Sequence, residues 1–147
     1  MNLKKLGFNH HFELEFDKLK KEKSWFAGRI SAEYKGLYKI LTSKGEFIGE
    51  ISGKMRYNND FPAVGDWIVC GEVDYERVII HHLLKRENKF SRTAAGNTGS
   101  EQIAAANIDI IFIVSSFNDD LNLRRLERYL TLSWDSGAKP VIILNKS

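Results

Sequence analysis

The C-terminal third carries the pattern that most constrains folding. Residues 108–114 (IDIIFIV) are a near-continuous apolar run of branched side chains, and residues 139–145 (KPVIILN) contain a second. Runs of this kind are expected of strands covered on both faces, the environment that a parallel sheet provides. Between them Leu123, Leu126, Leu130 and Trp134 recur on one stripe with Tyr129 beside it, while Arg124, Arg125, Glu127, Arg128 and Asp135 fall elsewhere. That spacing predicts an amphipathic helix, with Asn122 as its N-cap and Gly137 as its C-terminal stop. Strand, helix and strand in so short a stretch make a βαβ unit with parallel strands.

Residues 24–86 have a different grammar. SWFAGRISAEY breaks at Lys35-Gly36, and LYKILTS ends at Lys44-Gly45. EFIGEISGKMRY follows as an alternating strand, with Phe47, Ile48, Ile51 and Met55 as its apolar members. A polar loop, NNDFPAVGD, carries Pro62 and Gly65 and leads into WIVCGEV and RVIIHHLL. Five short strands with such turns predict a small closed barrel. A five-stranded OB-type barrel is the commonest solution, and an SH3-like barrel fits the pattern as well. Gly28, Gly49 and Gly53 fall inside these strands, where bulges or sharp coiling would use them. Ahead of the barrel, Phe12, Phe16 and Leu19 have helical spacing, although Phe12, Leu14 and Phe16 also alternate like a strand. Residues 87–102, polar and small, read as a linker or ordered loop. The expected class is therefore mixed: an N-terminal segment (1–23), an OB-like β-barrel (24–86), a linker (87–102) and the first βαβ part of an α/β domain (103–147).

Composition excludes several alternatives. Aromatic residues are 12% and hydrophobic residues 43% of the 147, which argues against wholesale disorder. No apolar run is long enough to cross a bilayer, and the N-terminus lacks the apolar core of a signal peptide. The single cysteine, Cys70, cannot form an intramolecular disulfide, so a reduced, cytoplasmic setting is expected. The net charge of +3 is unevenly spread: residues 1–40 hold nine Lys/Arg against five Asp/Glu, whereas residues 41–95 hold eight of each. A basic front is compatible with an anionic partner such as RNA. Lys35, Lys54, Arg56, Lys85, Arg86, Lys89 and Arg92, with Tyr34, Tyr57 and Phe90 nearby in sequence, are the candidates for a basic, aromatic RNA-binding face; solvated surface charge is the plain alternative. His81 and His82, neighbours on a strand, should point to opposite faces, which argues against a shared metal, and His10-His11 has no evident third ligand. Cys70 reads as a small buried hydrophobe, and Asn118-Asp119-Asp120 as a helix-start loop.

The second apolar strand runs into Asn145-Lys146-Ser147. Ligands of open α/β sheets bind beyond the carboxyl ends of the strands, and these three residues look like the start of the guanine-reading N-K-x-D motif. An asparagine offers both donor and acceptor to a base edge, and a lysine stem can lie over a purine face. Taken together, FPAVGDWIV (61–69), KRENKFSR (85–92), EQIAAANIDIIFIV (101–114) and residues 123–147 resemble the circularly permuted, small-ribosomal-subunit-dependent GTPases, the RsgA or YjeQ/YloQ family. The resemblance implies an OB barrel, a GTPase domain using GTP/GDP with Mg2+, and a zinc-binding C-terminal domain. It also implies action on late precursors of the small ribosomal subunit, with the barrel contacting ribosomal RNA. Asn145 and Lys146 match the first two positions of the guanine motif and Ser147 its variable third. The sequence has no G-x-x-x-x-G-K-[ST] loop, no D-x-x-G after the guanine motif and no Cys/His cluster. The resemblance therefore implies a fragment cut inside its GTPase domain, monomeric and unable to hydrolyse GTP alone, because phosphoryl transfer rests on the missing groups. A stand-alone OB-type RNA-binding module without enzymatic activity is the alternative expectation.

Overall fold

A computed structural model describes residues 1–93, 101–116 and 121–145, the side chains of residues 92, 93 and 101 excepted. The chain divides into two compact units, Met1–Arg86 and Glu87–Ser147.

In the first unit a 3-10 turn (Leu3–Leu6) leads to helix α1 (His10–Leu19). Strands β1 (Phe26–Tyr34), β2 (Leu37–Thr42) and β3 (Gly45–Ile51) follow, then helix α2 (Gly53–Tyr57), β4 (Trp67–Asp74) and β5 (Arg77–Leu83). The strands close in the order β1-β2-β3-β5-β4, antiparallel throughout except for the parallel β3–β5 pair. Closure through a parallel third and fifth strand, with a helix between the third and fourth, is the OB arrangement and settles the choice against an SH3-like barrel.

Inward residues of all five strands, including Phe26, Ile30, Tyr38, Ile40, Phe47, Ile68, Cys70, Val78 and Ile80, fill the interior. Gly28 and Gly49 serve this packing. A Cβ on Gly28 would lie 2.4 Å from Ile40 Cγ2, and one on Gly49 2.8 Å from Ile40 Cδ1 and from Val78 Cγ2. The register shifts fall elsewhere, at Ile30/Ala32 of β1 and at Val69/Cys70 and Glu72/Asp74 of the β4–β5 pair. The expected long strand through residue 57 ends at Ile51 instead. Ser52 caps α2 by accepting the Met55 N–H, Gly53 opens the helix, and Met55 is turned into the barrel core. Local capping thus overrides an alternating pattern.

The N-terminal segment is helical. Asn9 accepts the Phe12 N–H as N-cap, and Phe12 with Phe8, Phe16 and Leu19 packs on Trp67, Val69 and Leu84 from the outer side of β4. Leu14 points to solvent, which rules out the strand alternation.

In the second unit, residues expected as a linker form strands. β6 (Lys89–Thr93) pairs antiparallel with β7 (Glu101–Ala106). The Asn88 amide braces this hairpin to the next strand, donating to the Ile108 carbonyl and accepting the Ile108 N–H. β8 (Ile110–Ser116), α3 (Leu123–Ser136) and β9 (Lys139–Asn145) then form the expected parallel unit. Asn122 caps α3 by accepting the Arg125 N–H, and Gly137 ends it at a φ of 87°. Double-sided burial is not achieved among the described residues: Ile113 and Ser115 are buried, whereas Phe112 and Val114 are each 64% exposed. Two strands and one helix cover only one face. The helical stripe is correspondingly open at its ends, with Leu123 and Trp134 exposed, and the one fully buried helix side chain is Ser133.

Candidate functional site

The parallel pair ends with Ser116 of β8 beside Asn145 of β9. Asn145 is exposed at this carboxyl edge, where an α/β sheet presents side chains to a ligand. Lys146 and Ser147 lie outside the described residues, as do Asn118, Asp119 and Asp120. The amide of Asn145 has the donor and acceptor that a purine edge needs. Among the described residues no group of three or more His, Cys, Asp or Glu side chains could hold a metal ion. No such group is therefore described for the Mg2+ or zinc that the family resemblance implies.

The candidate RNA-binding residues are dispersed. Lys35 sits at the exposed tip of the β1–β2 hairpin beside Tyr34 and Leu37. Lys54 and Arg56 lie exposed on α2, followed by a Tyr57 that is almost wholly in solvent. Lys85 is exposed, its carbonyl 2.9 Å from His11 Nε2. Lys89 and Arg92 belong to β6 of the second unit, and Phe90 on the same strand is half-buried. Arg86 has a structural task instead. Its Nε and Nη2 donate to the two oxygens of Asp66 at 2.7 and 2.6 Å, and Asp66, wholly buried, also accepts the Ala63 N–H at 2.8 Å. A guanidinium engaged in this way and only 20% exposed is a clasp between the loop before β4 and the residues after β5.

Around the β1–β2 and β4–β5 tips the charge is mixed: Glu33 lies beside Lys35, and Glu50, Asp74 and Arg77 lie beside Leu37, while Lys39 is paired with Glu46 at 3.1 Å. A groove of about 110 Å³ runs there between Leu37, Ile48, Val73 and Ile79.

A cluster of rings lies where sequence reasoning did not look. In β5 the register slips: Val69 faces His82 while Cys70 faces Ile80, so His81 is an extra, bulged residue. The expectation that His81 and His82 diverge fails for this reason. His81 stacks on Trp25 with centroids 4.2 Å apart and planes 13° apart, and His82 lies tilted at 5.7 Å from the same ring. Burial, first of all, holds both imidazoles below the usual histidine range; Lys21, His81 and Lys54 push His82 further down, while Glu22 opposes the shift at His81.

A family model described as RsgA GTPase matches residues 83–147. Over its full length the chain is 39% identical to the small ribosomal subunit biogenesis GTPase RsgA 2 of Lactiplantibacillus plantarum, covering 42% of that protein. It is 43% identical to RsgA of Methanosarcina acetivorans over 95% of the chain and 38% of the relative. The chain belongs to the RsgA family. It spans about two fifths of the length of these RsgA relatives. The fold agrees with the circularly permuted GTPase YloQ, at a TM-score of 0.61 and 19% identity over 84% of this chain and 42% of that one. It agrees equally with YjeQ from Thermotoga maritima, at 0.62 and 18% over 82% and 41%. In RsgA terms the first unit is the OB barrel and the second a partial GTPase domain. None of the described helices is long and apolar enough to cross a membrane.

Proposed function

We propose that this chain supplies the RNA-docking barrel and the guanine-reading edge of a GTP-hydrolysing factor that acts on the small ribosomal subunit in the cytoplasm. The observation that carries the reading is the position of Asn145: the first residue of an N-K-x-D-type motif stands at the carboxyl end of a parallel strand, in a chain about 40% identical along its length to RsgA proteins. Asn145 and Lys146 select the base, with Ser147 as the variable position between them and an acidic partner. GTP or GDP with Mg2+ is the nucleotide of the intact factor, and zinc belongs to a part of the family protein that these residues do not contain. The chain itself, monomeric, turns over no GTP, because its sequence has no G-x-x-x-x-G-K-[ST] turn to grip the phosphates and, among the described residues, no acidic group of the kind that could hold Mg2+.

The test has two arms. In a protein continuing through the whole GTPase domain, Asn145→Ala should weaken GTP binding by about tenfold or more while ATP binding stays equally poor, since a site built to hydrogen-bond a base loses selectivity when one group is removed. In the 147-residue chain, GTP hydrolysis should not exceed the buffer rate. Unchanged guanine selectivity in the variant would leave only an OB-type RNA-binding module as the reading.

A further inference from the structure

The Trp25 cluster is a built feature of the barrel wall. Its stack needs a small floor: a Cβ on Gly71 would come within 3.0 Å of Trp25 Cδ1 and 3.2 Å of His81 Nε2. The β5 bulge then brings two imidazoles to one indole. The charges of Lys54, on α2, and Lys21, in the segment between α1 and β1, both act on His82, and Lys20, Lys21, Lys23 and Lys54 are all exposed. Glu22 is the acid that acts on the pair, through His81. Two imidazoles thus meet one indole, and the charges that bear on them are those of two lysines and Glu22. A polyanion approaching the barrel is attracted to this wall.

We propose that Lys21, Lys54 and His82 grip a phosphate of the RNA backbone, and that the Trp25–His81 stack lies beneath the nucleotide attached to it. The inference rests on the barrel being an RNA-docking module and says which wall does the docking. The chemistry is direct. The phosphodiester carries one negative charge, the lysines answer it as point charges, and His82 adds a donor whose positive form the phosphate favours. Aromatic faces tolerate any base, so the site binds without reading sequence. Lys21, His81 and Lys54 add to burial in holding His82 below its usual range, and a bound phosphate offsets that cationic part, so binding takes up a proton and tightens as the pH falls.

The experiment uses the full chain and a labelled 12-nucleotide single-stranded RNA, with anisotropy measured over a salt series and between pH 5.5 and 8. Lys21→Glu and Lys54→Glu should each raise Kd about tenfold and flatten the log Kd against log salt slope by about 0.7. His82→Ala should remove most of the tightening at low pH, and the His82 ring signals in NMR should titrate at higher pH when RNA is bound. Lys35→Glu should change little. These side chains are partly or fully in solvent, and thermal unfolding of each variant checks that the barrel is intact. If Lys35→Glu and Arg56→Glu weaken binding while Lys21→Glu, Lys54→Glu and His82→Ala do not, the barrel binds RNA by another wall and this inference falls alone. If no RNA binds at low salt, the docking reading falls with it. If inorganic phosphate shifts the His82 signals and RNA does not, the site serves a free anion and the inference is overturned.

Discussion

Replacement of Asp66 by alanine tests whether the clasp with Arg86 holds the barrel together. Asp66 is wholly buried and accepts three hydrogen bonds, two from one guanidinium and one from the Ala63 amide. The loop it anchors is tied on both sides: Gly65 N–H donates to the Ile30 carbonyl, Ile30 N–H to the Asp66 carbonyl, and Arg29 Nε to the Gly65 carbonyl. Hydrogen bonds to charged groups contribute about 1.5–3 kcal/mol each when intact, and breaking a buried ion pair from one side costs about 3–5 kcal/mol. Because Arg86 keeps some water contact at 20% exposure, the lower end, about 3 kcal/mol, is expected for Asp66→Ala. For a unit of this size that is a fall in Tm of about 12–24 °C. Arg86→Ala should cost at least as much, since it leaves the carboxylate buried with the Ala63 amide as its remaining named donor. The double variant should be less damaging than the sum by about 2 kcal/mol, the signature of one shared interaction. Urea and thermal unfolding followed by circular dichroism at pH 7 supply the cycle. A Tm within about 3 °C of wild type for Asp66→Ala, or additive single losses, would refute the clasp. Arg86→Ala should leave the salt dependence of RNA binding unchanged, which separates this arginine from a phosphate contact.

Gly28→Ala should destabilise the barrel by about 1–3 kcal/mol, because its Cβ meets Ile40 on a neighbouring strand, whereas Gly53→Ala, with open space around it, should be neutral or slightly stabilising; equal effects in chemical denaturation would contradict the packing argument. The Cys70 thiol, buried and close enough to donate to the Phe26 carbonyl, is pushed up to about 12, chiefly by desolvation. A raised folded-state value stabilises below the unfolded value and is lost as pH rises through the folded one, so stability should fall between roughly pH 9 and 12 and Cys70→Ala should lessen that fall. At pH 8 the native thiol should react with an aromatic disulfide reagent only as fast as the barrel opens, and rapid labelling of the folded chain would disprove its burial. Amides of β8 and β9, which pair only with each other among the described residues, should exchange at least about 100-fold faster than those of β4, flanked on both sides; equal protection would show that the parallel pair is a stable element by itself.

The sequence was most legible where a local period decides the structure. β-rich runs between turn residues located all five barrel strands, the helical one of two spacings open to Phe12, Phe16 and Leu19 proved to be α1, and Asn122 with Gly137 bounded α3 to the residue. Failures occurred where a single side chain or a distant partner outweighed the period. Ser52 turned an alternating stretch into a helix. One inserted residue in β5 moved His81 and His82 to the same ring, an event that alternation forbids and that Gly71 alone hinted at. Arg86 looked like surface charge because its partner is 20 residues away in sequence. Ser91 and its neighbours read as linker since β6 pairs a strand rich in alanine, which carries little β signal. Of the proposed base-reading edge, the place of Asn145 was legible from the strand that ends there, while Lys146 and Ser147 lie outside the described residues.

Burial and function meet at that edge. Asn145 can discriminate a base only if β9 holds its amide within a few tenths of an ångström of the required position. Yet β8 and β9 are only partly buried: Phe112, Val114, Ile143 and Leu144 are open to solvent, and α3 shields one face alone. Each such side chain, when covered, contributes about 1.5–3 kcal/mol, comparable to the whole discrimination a single base contact gives. On the proposed function, guanine affinity and strand order are one linked equilibrium: a ligand that needs the edge ordered must supply that ordering, and a surface that covers Phe112 and Val114 supplies it beforehand. Covering this face raises affinity for the base without touching it, so substitution of Phe112 by a polar residue should weaken guanine binding in the intact domain even though the ring lies on the strand beside the one that carries Asn145.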